Sequence, residues 1–409
     1  MHPTLTPKQE RRFLLILGGI QFSHVLDFMI MMPLGPILIQ AFGLSMHEFA
    51  LLVASYSFSA AISGLVATTF VDRFERRGLM MTMFGLFGIS TLACGLAPNY
   101  VTLLIARCMA GAFGGIMGAQ TQTMIGDVIP FERRARASSM VSAAFSISTV
   151  AGVPLSLWLA NHFQWRAPFI FIAALVVFFI LAGRRVLPEL RHHISDERRA
   201  HPFAPLFTVL RDPNHLRALL FSALVIFSGF SVIPYITVYA VHNVGIALTD
   251  IPLIYLVGGA ATLITSRLLG VWADRYGKVE VYRIVAFSAV IPLLVLTHIG
   301  IVPLWAWIIC TTVFFVLVTG RMIPAMAIIT SAAQPKLRGT FMSLHATTQA
   351  LGMGLATTVS GFIISQDDVG MLVHYREVGY VAVAANLLAV WFVARVIMHG
   401  KPKDAVIKK

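Results

Sequence analysis

The chain has 409 residues, 57% apolar and only 12% charged, with a formal net charge of +13 and a mean hydropathy of +0.81. That is about half the charged share of an ordinary soluble domain, which excludes a freely soluble fold and points to a multi-pass membrane protein. The positive charge does not indicate nucleic acid, because the basic residues sit in short loops between apolar runs, where they report membrane orientation.

Lys8, Arg11 and Arg12 precede an apolar stretch from Phe13 to Ile39. It is too long for the h-region of a cleaved signal peptide and is expected to remain as the first span. An apolar helix of about 20 residues crosses the hydrocarbon layer. The first half offers such runs at 13–39, 48–70, 79–97, 101–125, 137–161 and 165–186. A polar connector, 187–215, carries RHHISDERRAH from Arg191. The second half repeats the pattern at 216–241, 251–273, 279–299, 303–331, 340–365 and 377–399, followed by a basic tail with Lys401, Lys403, Lys408 and Lys409. Cys94, Cys108 and Cys310 lie inside these runs without pair spacing, so neither a disulfide framework nor a metal motif is expected.

The expectation is an all-α integral membrane protein of twelve transmembrane helices, arranged as bundles 1–186 and 216–409 joined by the connector. Only Arg166 and Arg376 fall in loops away from the N-terminal side, and Arg107, Arg267 and Arg321 fall within spans. An excess of Lys and Arg marks the cytoplasmic side, so both termini are expected there, in a cell membrane, with the bacterial inner membrane as the expected site. Two loop pairs support the halving. DRFERRG from Asp72 and GVWADRYGK from Gly270 follow the second and eighth spans, and PFERRARASSM from Pro130 and PKLRGTFMS from Pro335 follow the fourth and tenth. Matched loops in register indicate duplicated halves, as in many secondary transporters.

GVWADRYGK resembles the signature loop of the major facilitator superfamily, and the resemblance covers the whole chain. It implies two pseudo-symmetric six-helix bundles rocking about a mid-membrane cavity, a small-molecule substrate, no cofactor and a monomer. In that loop Gly270 and Gly277 are expected to permit a tight turn. Asp274, beside Arg275, is expected at a helix N-terminus, where the macrodipole favours a carboxylate by about 0.3–1 kcal/mol. The first-half copy has Thr68 and Glu75 in place of the glycines but keeps Asp72, Arg73, Arg76, Arg77 and Gly78. The family resemblance implies a gate in which this loop meets Asp127, with Arg133, Arg134 and Arg136 beyond it. Solvated positive-inside charges are the alternative.

RCMAGAFGGIMG from Arg107 resembles the family's arginine followed by a glycine-rich run. At ~100° per residue Arg107, Gly111, Gly114, Gly118 and Thr121 share a stripe whose small residues let a neighbouring backbone approach. A membrane-embedded Arg needs a counter-charge, and Asp27 is the best-placed carboxylate of the same half. The two are expected to influence one another through the cavity, Arg107 modulating proton affinity at Asp27, unless Arg107 snorkels to the outer interface. STVAGVPLSLWLANHFQWR from Ser148 resembles the Gly-x-Pro motif of the antiporter subgroup, with Gly152 and Pro154 present and Ser156 and Ala160 where relatives often carry glycine. A plain proline kink is the alternative.

In the first span Gln21, His24, Asp27 and Met31 recur at steps of three and four and share a face. LDFMIMMPLGP from Leu26 resembles the acidic-aromatic segment of the sugar-efflux and drug:proton antiporter groups, where the carboxylate lies in the central cavity. A charge at mid-membrane costs roughly 2.5–3.5 kcal/mol, and a proton on Asp27 removes it, so Asp27 is the expected proton carrier. An Asp permanently bonded to His24 or to a neighbouring helix is the structural alternative, and His24 itself reads equally as relay or packing residue.

From the second half Tyr235, Tyr239, Arg321, His345 and Gln349 are expected on the opposite cavity wall. Arg321 has no carboxylate at its depth and reads as a site for an anionic substrate group or for a backbone carbonyl. Tyr255, Gly259, Thr262 and Ser266 read as helix packing, and most of the 18 methionines as gap-fillers. The function expected is export of a small molecule by proton antiport, with an uptake symporter or a uniporter as alternatives. No clustered Ser/His/Asp set suggests an enzyme, and no Gly-rich Lys-Ser/Thr motif suggests nucleotide drive.

Overall fold

The computed structural model describes residues 6–67, 69–190, 204–334 and 337–399. The connector's RHHISDERRAH, Thr68, Pro335, Lys336 and the tail beyond His399 lie outside the described residues. Below, the end of the molecule that carries the N-terminus is the basic end, and the other is the far end.

Helix α1 (Pro7–Ile30) opens on a capping box in which Thr6 accepts from the Gln9 amide and the Gln9 side chain accepts from the Thr6 amide. The expected first span is not one helix. It stops at Ile30, turns through Met31–Leu34, and resumes as α2 (Gly35–Phe42) with Pro36 in its first turn. Pro33 and Pro36 lack the amide protons that a continuous helix would need there. Helices α3 (Met46–Ala67), α4 (Arg76–Leu96), α5 (Tyr100–Val128) and α8 (Ala167–Val186) cross without a break. Between the last two, α6 (Phe131–Ile147) and α7 (Val153–His162) are joined by a π turn at Ser148–Gly152.

The short α9 (Ala204–Arg211) leads into α10 (Pro213–Phe230), which Asp212 caps by accepting from the Asn214 and His215 amides. A 3₁₀ turn at Ile233–Tyr235 separates it from α11 (Ile236–Tyr239). Then follow α12 (Ile251–Tyr276), α13 (Lys278–Ser288) and α14 (Val290–His298). Next, α15 (Leu304–Phe314) and α16 (Met322–Ala332) are joined by a π turn at Phe315–Thr319. After α17 (Arg338–Ile363), a small antiparallel pair, β1 (Ser365–Gln366) with β2 (Leu372–Val373), covers the far end before α18 (Tyr375–Val393) returns.

Eleven helical stretches among the described residues are long and apolar enough to cross a membrane. The twelfth crossing is α17, whose 26 residues suffice in length but include His345, Gln349 and several threonines. Its polar face follows from its place, packed along α3 and α10, while Leu351, Leu355 and Phe362 stay exposed on its other side. The result is an all-α membrane protein of two packed helical bundles.

Apart from α3 and α17, which lie along each other, the helices α1 and α4–α8 pack chiefly within the first half and α10, α12–α16 and α18 within the second. The halves meet where α3 lies along α17, where α7 and the π turn before it cross α12, and where α2 meets α11. At the far end these seams are tight. The rings of His47 and Phe362 are 4.3 Å apart, and Asn161 Nδ2 donates to the Leu248 carbonyl at 3.1 Å. A Cβ placed on Gly354 would meet the Phe58 ring at 2.8 Å, whereas one on Gly64, nearer the basic end, would come only within 3.9 Å of Thr347. The seam between the halves is therefore tight at the far end, and that between α3 and α17 loosens towards the basic end.

Candidate functional site

The glycine stripe of α5 builds the first half's polar centre. A Cβ on Gly111 would collide with the Tyr56 backbone, and one on Gly114 with the Tyr56 hydroxyl, so α3 lies against α5 at backbone distance. That contact places the Tyr56 ring 4.7 Å from the Arg107 guanidinium carbon, within cation–π range. From the other side α1 brings Asp27, whose Oδ2 is 2.7 Å from Arg107 Nη1, with both side chains fully buried. The same Nη1 also donates to the Asp27 carbonyl at 3.2 Å. His24 Nδ1 is 3.3 Å from the Tyr56 hydroxyl, so His24, Tyr56, Arg107 and Asp27 form one chain of contacts. Thr91 and Cys94 of α4 lie beside it. His24 Nε2 has no hydrogen-bond partner among the described residues, which leaves the cluster with spare capacity for water, a proton or a rearranged partner.

Two expectations are corrected here. Asp27 and Arg107 do not act on one another through the central cavity; they touch directly inside the first half, where the small residues of α5 let α3 close over Arg107. Nor does Arg107 snorkel, since it is 0% exposed. His24 bonds to Tyr56.

The cavity itself, of ≈ 440 Å³, lies between the halves just beneath the far-end seal. Its walls are the interruptions in the helices. Met32 and Pro33 come from the turn after α1, Thr149 from the π turn before α7, Ile233 from the break after α10, and Phe315 and Val318 from the π turn before α16. Irregular backbone at membrane depth is tolerated where it lines a cavity. The remaining wall is largely Phe, Met and aliphatic, with Tyr255, Thr262, Ser266, Gln349 and Arg321 among its few polar members.

Of the residues expected on this wall, Arg321 and Gln349 line it; Gln21, Met31, Thr121, Tyr235, Tyr239 and His345 do not. Tyr235 is turned to the Thr357 carbonyl at 2.7 Å and Tyr239 to the Ile299 carbonyl at 2.7 Å, because a buried hydroxyl must find an acceptor. Met31 and Thr121 are packed inside the first half, and Gln21 is half-buried on α1. His345 is 1% exposed, one turn from Gln349, with both ring nitrogens lacking a partner among the described residues. Conversely, Tyr255, Gly259, Thr262 and Ser266 line the cavity. Their i, i+4, i+7, i+11 spacing was the available signal.

Arg321 is fully buried. It donates through Nη1 to the Asn386 amide oxygen, through Nη2 to the Val225 carbonyl at 3.2 Å, and through Nε to the Val318 carbonyl at 3.2 Å.

At the basic end Asp127 pairs with Arg76 at 3.3 Å, and Gln120 donates to the Arg76 carbonyl at 3.4 Å. The end of α5 thus meets the first-half loop through Arg76. Arg73 is exposed, and the side chain of Asp72 lies outside what the structure describes. Arg134 donates to the Ile129 carbonyl at 2.8 Å, and Arg133 pairs with Glu10 of α1 at 2.7 Å. In the second-half loop Gly277, at φ +100°, makes the expected turn.

Gly270 does not make that turn: it sits inside α12, with nothing within 4 Å of where its Cβ would stand. Asp274 is likewise not at a helix N-terminus but in the last turn of α12, exposed. The reason is that α12 runs on to Tyr276 before the chain turns. Arg275 lies over the Tyr276 ring at 5.4 Å. Gly152 and Pro154 mark a seam: a Cβ on Gly152 would meet Leu26 of α1 at 2.8 Å, and Pro154 opens α7.

Comparison with known proteins agrees with this architecture. The sequence profile of the Major Facilitator Superfamily matches residues 17–357. Among relatives, the MFS-type transporter YceJ of Bacillus subtilis (strain 168) is 23% identical over 352 residues, 84% of this chain and 87% of that protein. YfhI of the same organism is 27% identical over 148 residues, 36% of this chain and 37% of YfhI, so that match spans little more than a third of either chain. In structure, the bacterial homologue of the human lysosomal transporter Spinster superposes with TM-score 0.74 at 16% identity, covering 96% of this chain and 98% of the other. The nucleoside transporter NupG superposes with TM-score 0.74 at 10% identity, covering 95% and 100%. The chain belongs to the Major Facilitator Superfamily.

Proposed function

We propose that this transporter exports a small molecule by proton antiport, through alternating access of the bundles 1–186 and 216–409. Residues 187–215 act as the connector, and the basic end with both termini lies in the cytoplasm, as the distribution of Lys and Arg indicates. Closure at the far end then corresponds to a cavity prepared to face inward.

The observation that carries the reading is the fully buried contact of Asp27 with Arg107, one helical turn before α1 breaks at Met31–Leu34. A proton on Asp27 neutralises the carboxylate and leaves Arg107 without its counter-charge, so the packing of α1 on α5 has two arrangements of different charge balance. Phe28, Met29, Met32 and Pro33 of the same segment form cavity wall, so a shift there changes the substrate site. The arrangement couples a proton to the cavity without placing the carboxylate in it. His24 and Tyr56 offer the adjoining hydrogen-bonding groups. The Arg76–Asp127 contact and the Asp274 loop act as the basic-end gate, which engages across the halves when that end closes.

The test is reconstitution into liposomes with an internal pH dye, an imposed pH gradient and a panel of small organic solutes. Opposed movement of solute and proton, lost in Asp27→Asn, is expected. Movement in the same direction would make the protein a symporter, and solute flux without proton movement a uniporter; uphill accumulation that survives Asp27→Asn would remove Asp27 from the coupling.

A further inference from the structure

Two arginines are fully buried in the spans of this molecule among the described residues that are charged there, and only one has a counter-ion. Arg107 has Asp27. Arg321 has an amide oxygen, from Asn386, and two backbone carbonyls. The described acidic residues of the second half, Asp212, Asp250, Asp274, Glu280, Asp367, Asp368 and Glu377, all lie in loops or at helix ends. A whole positive charge therefore stands in the wall of the cavity, where the low dielectric strengthens its attraction for an anion and its repulsion of a cation.

From these observations we infer that the cavity selects a hydrophobic molecule bearing a single negative charge, with Arg321 as the residue that recognises the charge. The inference rests on the reading of the cavity as the substrate site. Gly229 supplies the access. It lines the cavity, and a Cβ there would stand 3.8 Å from Arg321 Nη2, so the guanidinium, itself fully buried, lies just behind this glycine and its charge is felt across it. The same cavity is lined by Phe28, Tyr255, Phe315 and Met353, aromatic and thioether surfaces suited to an apolar, adaptable fit. One cation in the wall matches one anionic group, and a volume of ≈ 440 Å³ suits a molecule of one or two rings.

The experiment uses the full chain in lipid nanodiscs and measures equilibrium binding of three isosteric probes: 1-naphthoate, 1-naphthamide and 1-naphthylmethylammonium. Naphthoate is expected to bind at least about ten-fold more tightly than the amide, a difference of about 1.4 kcal/mol, with the ammonium weakest. Asn386→Asp, nearly isosteric, gives Arg321 its own carboxylate and is expected to bring naphthoate to the level of the amide. Arg321→Gln should do the same, and Arg321→Lys should keep part of the preference. Equal or tighter binding of the amide or the ammonium, an undiminished preference in a folded Asn386→Asp, or no binding of any probe each overturns the proposal. If both charge variants unfold, the wild-type comparison alone decides. An intact preference without flux in liposomes would count against transport of such anions while leaving the site standing. Flux without charge preference would refute the anion site alone.

Discussion

Asp27 Oδ2 and Arg107 Nη1 stand 2.7 Å apart with both side chains fully buried, so neither charge can be removed without leaving the other stranded. Breaking a buried pair by removing one partner costs about 3–5 kcal/mol, whereas replacing both is often nearly neutral. Asp27→Asn and Arg107→Gln are each expected to lower the thermal unfolding midpoint of the purified protein, and the double variant to recover most of the loss. All three should lack proton coupling. A double variant no more stable than the singles would show that the two charges do not act as a pair.

The approach of α3 to α5 makes a second prediction. At Gly111 any side chain meets the Tyr56 backbone, whereas at Gly118 nothing lies within 4 Å of a Cβ. Overpacking against movable side chains costs about 1–3 kcal/mol, and a backbone obstacle leaves less room to relax. Gly111→Leu is therefore expected to destabilise strongly, or to abolish the folded yield, while Gly118→Ala is tolerated. Equal yields and midpoints by fluorescence-detected size exclusion would contradict that packing.

How far the sequence alone reached can be judged from these same residues. Spans, halves and the Asp27–Arg107 partnership follow from hydropathy and from the cost of buried charge, both local quantities that a sequence displays. Where the helices break was only partly visible. Pro33 and Pro36 announce the end of α1 and Pro154 the π turn at Ser148–Gly152, but the π turn at Phe315–Thr319 contains no comparable mark. The cavity wall was the hardest to read. Tyr235 and Tyr255 are both aromatic residues with a hydroxyl near a proline, yet one turns to the Thr357 carbonyl and the other lines the cavity. That choice is made by how the helices of the second half pack on one another, since the acceptor of Tyr235 lies on α17, and no single helix encodes it.

At the basic end the two gate carboxylates should behave differently. Asp127 holds Arg76, whose side chain is only 6% exposed, whereas Asp274 is exposed at the end of α12. Removing a charged acceptor from a buried donor costs about 1–3 kcal/mol, and an exposed surface change about 0.5 or less. Asp127→Asn is expected to lower the unfolding midpoint measurably and Asp274→Asn hardly at all. If Asp274 serves only when the basic end closes, Asp274→Asn should instead raise the accessibility of cysteines introduced at that end. Unchanged accessibility would favour a solvated loop.

Glu75 links the first-half loop to the start of the connector, and its charge state makes that link sensitive to pH. Its carboxylate caps α4, accepting from Arg77 N at 2.8 Å and Gly78 N at 2.6 Å, and also from Leu190 N at 3.0 Å. Partial burial works to raise its pKa, but the amides of Leu190, Gly78 and Arg77 outweigh it and hold the group below the usual glutamate range. A depressed folded-state pKa stabilises the protein fully above the unfolded value of about 4.3, and that stabilisation is lost as pH falls below it towards the folded value. Glu75→Gln removes the charged acceptor, and loss of such a cap costs about 0.5–2 kcal/mol. The variant is therefore expected to unfold at a lower temperature than wild type at pH 7. The gap should narrow once the pH drops below about 4.3, because wild type then approaches the uncharged state. Unfolding midpoints in nanodiscs from pH 7 to pH 3.5 measure this directly, and two curves that stay parallel throughout would show that the Glu75 charge contributes nothing to the cap.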